Sequence, residues 1–445
     1  MKRLYFIIVL SSLLHTLSLS TAEYNFLAVM SANNNLYRYA LQDIKEMQRV
    51  GTNENINIFV QIDNFGKKEV SWYRIEKGRS VLLAVKKIPP ESLSGTPENL
   101  FAFAKEIVTN YPAKRLVIDV WNHGSGVKDP HIWSKYLPYD REECFYFNPE
   151  TKLYEINRSL FTTTPFLGVA FNDIGHVYLD NQDLEKALKK ISNELLGGKK
   201  IDIVAFDACH QGMIEIAYLL MDSADYTAFS EEIVPGAGWD YTKVLSPFLT
   251  RSLSPKDFAK HIVKAYDERY NHIFADLTHS AAELKYLDSL VKNVDKVSTT
   301  LLNLLQNDPE QKFFRLLSKI RRSPNLTTAF LDSDYIDLAH FYKSLRAKIQ
   351  ELKENSKYQE LEALLTQGLN TLSTVIIKNA TGPNVRHAGG LAIYYPTKTL
   401  HSSYLKTSFA KDTNWCNFLY AFIKQKRANV FGKIHETEII APETA

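Results

Sequence analysis

Apolar residues fall into two rhythms along this chain of 445 residues. From Tyr24 to Met30 (YNFLAVM) they run almost unbroken and stop at Ser31-Ala32-Asn33-Asn34-Asn35, a turn-rich sequence. From Leu36 to Val50 they recur at helical spacing, at Leu36, Tyr39, Leu41, Ile44 and Met47, and Asn57 to Ile62 is again β-rich. Strand, helix, strand in that order predicts a parallel sheet with a crossover helix. Val70 to Ile75 and Val81 to Val85 read as a hairpin hung on this unit. A helix from about Pro97 to Thr109 leads into Arg115 to Trp121 (RLVIDVW), a buried strand. Ile201 to Phe206 (IDIVAF) is a second buried strand, with a helix from about Gln211 to Met221 and a short strand from Tyr226 to Ser230 after it. The first half is therefore expected to be α/β.

Between Val127 and Phe171 the rhythm is lost, and Pro130, Pro138, Pro149 and Pro165 interrupt a charged, aromatic stretch. So long a segment without a period inside a compact domain is a candidate for function. Beyond Ser254 helical spacing dominates, over residues 255–270, 280–306, 309–321, 336–354 and 357–370. Thr374 to Lys378 and Leu391 to Tyr395 then look like strands, the second closed by Pro396. The expected division is a leader over 1–22, an α/β core over 23–254, a helical region over 255–430 with late strands returning to the sheet, and a tail over 431–445. No internal repeat is evident.

The leader changes the picture of where the protein works. Lys2 and Arg3 precede an apolar run from Leu4 to Leu14, and Ser20 and Ala22 meet the small-residue rule of a secretory cleavage site. The run is shorter than the roughly 20 residues a membrane span needs. Export, to the periplasm or beyond, is expected, with no span left after the leader is removed. Without Lys2 and Arg3 there remain 51 basic against 50 acidic side chains. That balance speaks against nucleic acid as a partner and against electrostatic attachment to a membrane. Three cysteines occur, Cys144, Cys209 and Cys416. At most one disulfide can form, so one thiol is left over and needs a reason.

Two loops begin where buried strands end: Trp121-Asn122-His123-Gly124-Ser125-Gly126 after RLVIDVW, and Asp207-Ala208-Cys209-His210-Gln211-Gly212 after IDIVAF. Sites in open α/β sheets lie beyond the carboxyl ends of the strands, so His123 and Cys209 are expected to meet there. A thiol with a pKa near 8.5 is mostly protonated at neutral pH, and an adjacent imidazole takes that proton and later returns it to a departing amine. A helix following Cys209 would favour the thiolate through its dipole. Gly124 lets a backbone N–H approach a developing oxyanion, and the N–H of Cys209 is the natural second donor. Plainer readings exist for each: Cys209 as a small core residue, His-Gly-Ser-Gly as a turn, Asp207 as a helix cap. No HExxH, P-loop or dinucleotide-binding glycine pattern is present. Cys144 and Cys416 have no tie to catalysis.

Asn122-His123-Gly124-Ser125-Gly126 resembles the His-Gly motif of the clostripain family of cysteine peptidases, within the caspase-like clan, and Asp207-Ala208-Cys209 is similar to the segment carrying their nucleophile. Ala32 to Leu36, Ser230-Glu231-Glu232 with Pro235 to Tyr241, and Gly390 to Pro396 resemble further blocks of the family, in order. The resemblance runs from about residue 24 to 400. It implies a caspase-like, mostly parallel sheet flanked by helices, and a Cys–His dyad without an obligatory third carboxylate. It also implies an endopeptidase cutting after Arg or Lys, with Asp207 in the pocket for that side chain. Internal self-cleavage of a zymogen would fall after Lys135, Arg141, Lys152 or Arg158. Calcium dependence, known in the family, is left open, since no EF-hand-like loop occurs. Ser125 and His210 depart from the pattern, and His210 is expected to point away. The partners are then proteins or peptides with basic residues, and the enzyme is expected to be a monomer. The rival is a catalytically silent peptide-binding protein of the same fold.

Overall fold

The computed structural model describes residues 21–87, 96–128, 145–157, 169–172, 177–352 and 355–431. A nine-stranded sheet forms its middle, in the order β14-β12-β11-β10-β5-β1-β2-β3-β4. Its five central strands, β11 (Ala224–Phe229), β10 (Ile201–Asp207), β5 (Ala113–Trp121), β1 (Ala22–Met30) and β2 (Ile56–Asp63), are mutually parallel. Antiparallel strands extend both edges: β3 (Glu69–Glu76) and β4 (Arg79–Lys87) on one side, β12 (Thr278–Glu283) and β14 (Ile376–Thr381) on the other. Strand β1 begins at Ala22, the last residue of the expected leader.

Buried on both faces, the central strands need apolar side chains at nearly every position, which is why they read as unbroken runs. In β1, Tyr24, Phe26, Ala28 and Met30 face one core and Leu27 and Val29 the other. The first core lies under α1 (Tyr37–Val50), α5 (Tyr241–Leu245) and α6 (Pro255–Tyr270). The second holds α2 (Pro97–Asn110), α3 (Asn181–Lys190), α4 (Ile214–Leu220), α7 (Leu287–Gln306), α8 (Lys312–Arg322), α9 (Leu338–Gln350) and α10 (Gln359–Val375). Short α11 (Ser408–Asp412) and the last helix, α12 (Trp415–Phe431), complete that layer. Hairpins β6 (Phe145–Asn148)–β7 (Leu153–Ile156) and β8 (Val169–Asn172)–β9 (Val177–Leu179) lie outside the sheet. Among the described residues no helix is long and apolar enough to cross a membrane.

Three elements differ from the sequence expectation. The helix expected over 280–306 starts only at Leu287, because Thr278 to Glu283 is a sheet strand buried at every residue. Its small residues carry no period, so the helical spacing that follows seemed to reach back into it. The helix expected from Gln211 is seven residues long and starts at Ile214, since Gly212 and Met213 spend their backbone groups on Ser230 and Ala392. Of the two late strands, β14 joins the sheet, whereas β15 (Ala392–Tyr394) pairs with β13 (Tyr335–Asp337) in a small sheet of its own.

That small sheet is tied to the core by Glu215 in α4, whose Oε1 accepts the Tyr394 N–H at 2.9 Å. Burial pushes the Glu215 carboxyl up to about 8. Folding thus retains a proton that the unfolded chain sheds near pH 4.5, so this group's stabilisation is complete below that pH and is lost as pH rises toward 8. Glu215→Gln is expected to flatten the fall in melting temperature between pH 5 and 8, removing a contribution on the order of 4 kcal/mol. An unchanged slope in thermal melts of the variant would count against this assignment.

Candidate active site

The register of the sheet brings the two loops together. Asp207, ending β10, sits beside Trp121, ending β5, and Met30 of β1 lies on the other side of Trp121. The N–H of Asn122 then donates to the Asp207 carbonyl at 3.3 Å. A Cβ placed on Gly124 would stand 2.1 Å from the Cys209 carbonyl oxygen and 3.0 Å from its nitrogen. His123-Gly124 and Cys209 are therefore in backbone contact, and only glycine fits there.

The asparagine-rich turn after β1 holds the histidine loop. Asn122 donates to the Ser31 carbonyl at 2.5 Å, while its Oδ1 receives Asn34 Nδ2 at 3.2 Å and the N–H of His123. Asn35 Oδ1 lies 2.9 Å from His123 Nε2. An oxygen acceptor at Nε2 holds the proton there and leaves Nδ1 as the basic nitrogen. The sequence marks this turn as the end of a strand and as one block of the family resemblance, but not as the support of His123.

Cys209 is 5% exposed and is not joined in a disulfide. The Val234 N–H points at its sulfur at 3.2 Å, a contact that favours the thiolate. The helix-dipole expectation does not hold, because α4 begins five positions after Cys209. His210 adopts a left-handed backbone (φ 56°), is fully buried, and turns its Nδ1 to the Glu231 carbonyl at 2.9 Å. It points away, as expected.

Asp207 Oδ2 accepts the Trp239 N–H at 2.8 Å and the Tyr241 hydroxyl at 3.3 Å. The same hydroxyl donates to Asp119 Oδ2 at 2.6 Å. Burial, with the Asp207 charge behind it, holds the Asp119 carboxyl well above the usual range. Asp43, which accepts from the Trp121 indole at 2.8 Å, is raised by burial and then by Asp207 and Glu46. Arg269 lies 3.7 Å from Glu46. Nothing in the sequence singles out Asp43, Asp119 or Arg269, which read there as ordinary strand and helix residues. Gly238 (φ 52°) closes the wall, since a Cβ there would meet Asp207 Oδ2 at 2.3 Å.

The helical region braces the loop that carries His123. Lys128 Nζ is 2.8 Å from both Asp332 and Asp334, and the Tyr335 hydroxyl donates to the Ser125 carbonyl. Of the cleavage candidates, Lys152 is exposed at the turn joining β6 to β7. Lys135, Arg141 and Arg158, like Cys144, lie outside the described residues. Among the described residues no three His, Cys, Asp or Glu side chains gather as a metal site. Cys416 is half-buried in α12, away from both loops in sequence.

A model of the clostripain family matches residues 28–160 and 167–425. Clostripain of Hathewaya histolytica is 25% identical over 246 residues, 48% of this chain and 40% of that protein, so less than half of the relative's length is matched. An inactive zymogen C11 protease from Parabacteroides distasonis has the same fold, with a TM-score of 0.58 at 18% identity over 88% of this chain and 98% of that one. A secreted C11 cysteine protease from Bacteroides thetaiotaomicron, solved with an irreversible peptide inhibitor, superposes with a TM-score of 0.56 at 18% identity, covering 89% of this chain and 99% of that one.

Proposed function

The chain belongs to the clostripain family, and we propose that it is an exported cysteine endopeptidase that cuts after Arg or Lys through a Cys209–His123 dyad. The observation that carries this reading is the backbone contact of Gly124 with Cys209 at the ends of two paired parallel strands. That contact supports a reading in which the Cys209 thiol, the His123 imidazole and two backbone N–H donors act on one carbonyl. In the first step His123 takes the Cys209 proton and the sulfur bonds to the scissile carbonyl carbon. The N–H groups of Gly124 and Cys209 hold the oxyanion, each such donor contributing about 2.7–4 kcal/mol to lowering the barrier. His123 then protonates the departing amine, leaving a thioester. Water, giving a proton to His123, cleaves that thioester and frees the thiol. Asp207 supplies the negative charge for the basic side chain, and burial holds its neighbours Asp119 and Asp43 toward the neutral form.

The leader supports export, and the peptide-inhibitor complex of the Bacteroides relative supports peptides as substrates. Activation of a precursor by internal cleavage fits the burial of Cys209 and the contact of Val234 with its sulfur. Fluorogenic peptides ending in Arg, Lys, Asp or Leu test the reading, with and without calcium. Cleavage of the Arg or Lys peptides is expected, and Asp207→Asn should lower kcat/KM on them at least about 100-fold while a thermal melt stays cooperative. Preferential cleavage of the Asp or Leu peptide would overturn the specificity. A folded protein silent on all four would favour the peptide-binding alternative.

A further inference from the structure

Behind Asp207 lies a group of buried side chains whose polar atoms have no hydrogen-bond partner among the described residues: Trp239 Nε1, the Tyr266 hydroxyl, and both ring nitrogens of His279. Trp239 and His279 are fully buried and Tyr266 is 1% exposed. They are mutual neighbours. The Tyr266 and His279 rings stack at 4.5 Å, Trp239 meets His279 edge-on at 5.7 Å, and Tyr270 lies 4.8 Å from Tyr266. The group borders the catalytic residues, since Trp239 donates its backbone N–H to Asp207 and the charges of Asp207 and Cys209 both act on the Tyr266 hydroxyl. Two of these atoms, the Tyr266 oxygen and one nitrogen of a neutral His279, are open acceptors beside one carboxylate, and an occupant that donates hydrogen bonds would fill them.

The geometry also limits what that occupant is. A guanidinium binds best as a fork across both oxygens of a carboxylate. Asp207 Oδ2 already receives the Trp239 N–H at 2.8 Å and has the Tyr241 hydroxyl 3.3 Å away, so that fork is crowded out. An ammonium is compact, with three donors that radiate in different directions, and wants separate acceptors. The Tyr266 oxygen and one nitrogen of a neutral His279 are such acceptors. Burial holds His279 down to about 3, so the ring is uncharged and does not repel a cation. The surrounding aromatic faces attract one. A neighbouring cation, Arg269, is drawn to Glu46 and lies over the Tyr270 ring.

Resting on the basic-residue reading above, we infer that the pocket is built for lysine rather than arginine before the scissile bond, with Asp207, Tyr266 and His279 as the acceptors of the ammonium. Tyr266 and His279 are thus specificity residues.

The test is kcat/KM on peptides identical except for Lys or Arg at the cleaved position, measured for the active enzyme and for Tyr266→Phe, which removes one oxygen. The wild type is expected to favour Lys by about tenfold or more, the worth of one well-placed hydrogen bond to a charge. Tyr266→Phe should bring the ratio close to one by losing activity on Lys while activity on Arg stays within about threefold. Equal or better cleavage of Arg by the wild type overturns the inference yet leaves the Arg-or-Lys reading standing. Cleavage of neither, with another peptide cut, removes both. A variant that loses both substrates in proportion shows a structural role for Tyr266 and also overturns the assignment. The wild-type ratio decides even where the variant does not fold.

Discussion

Cys209→Ala is expected to abolish hydrolysis of basic peptides, lowering kcat by roughly 10⁴-fold or more. Losing the nucleophile from a unit of nucleophile and base costs nearly as much as losing the whole unit, because the remaining members have nothing to activate. The fold should hardly notice. The site is already tightly closed, an alanine is smaller, and the change removes one acceptor from the Val234 N–H and a small volume from the core. Active-site labelling by a basic-residue electrophile should vanish with the activity, while thermal unfolding remains cooperative. A variant that kept even a tenth of the wild-type rate would sink Cys209 as nucleophile.

The second large effect is expected at a residue with no side chain. In Gly124→Ala the new methyl would lie 2.1 Å from the Cys209 carbonyl oxygen and 2.8 Å from Gln211 Nε2. The glutamine can swing away, but the backbone oxygen cannot. Its loop is pinned on both sides, by Asn122 N–H to Asp207, His210 N–H to Glu232 and Gly212 N–H to Ser230, the last at 2.8 Å. The two loops must therefore separate by about an ångström, and the donors proposed for the oxyanion move with them. Loss of one donor alone costs about 10²–10³ in kcat, and displacement of both should exceed that. The thiol is untouched, so labelling of Cys209 should persist at a reduced rate while turnover collapses. Near-normal kcat in this variant would show that the contact between the loops is not what catalysis uses.

How much of this was legible beforehand depends on what each residue's neighbours are. Strands β1, β5 and β10 declared themselves, because burial on both faces demands apolar runs, and the loops at their ends followed. Cys209, His123 and Gly124 could be picked out there since their chemistry is specific. Strand β12 stayed hidden because Thr278, Ser280, Ala281 and Ala282 are small enough to be buried in any setting. The role of Asn35 depends on a partner 88 positions away, and that of Val234 on one 25 positions away, contacts that no local period encodes. The acidic cluster was invisible for another reason. Asp43 lies in a helix and Asp119 in a strand, and only the packing of α1 against the sheet beside Tyr241 brings them near Asp207.

The strand order carries a consequence for the molecule as an assembly. Strands β1 to β5 occupy one half of the sheet and β10, β11, β12 and β14 the other, and they meet only where β5 pairs with β10, from Val117 beside Ile203 to Trp121 beside Asp207. A peptide bond broken after Lys135, Arg141, Lys152 or Arg158 would turn that joint into a subunit boundary. The two fragments would share one sheet and two cores, so they would run as separate bands on a denaturing gel yet travel as one particle in solution. His123 would belong to one polypeptide and Cys209 to the other, making the active site itself the seam of a heterodimer.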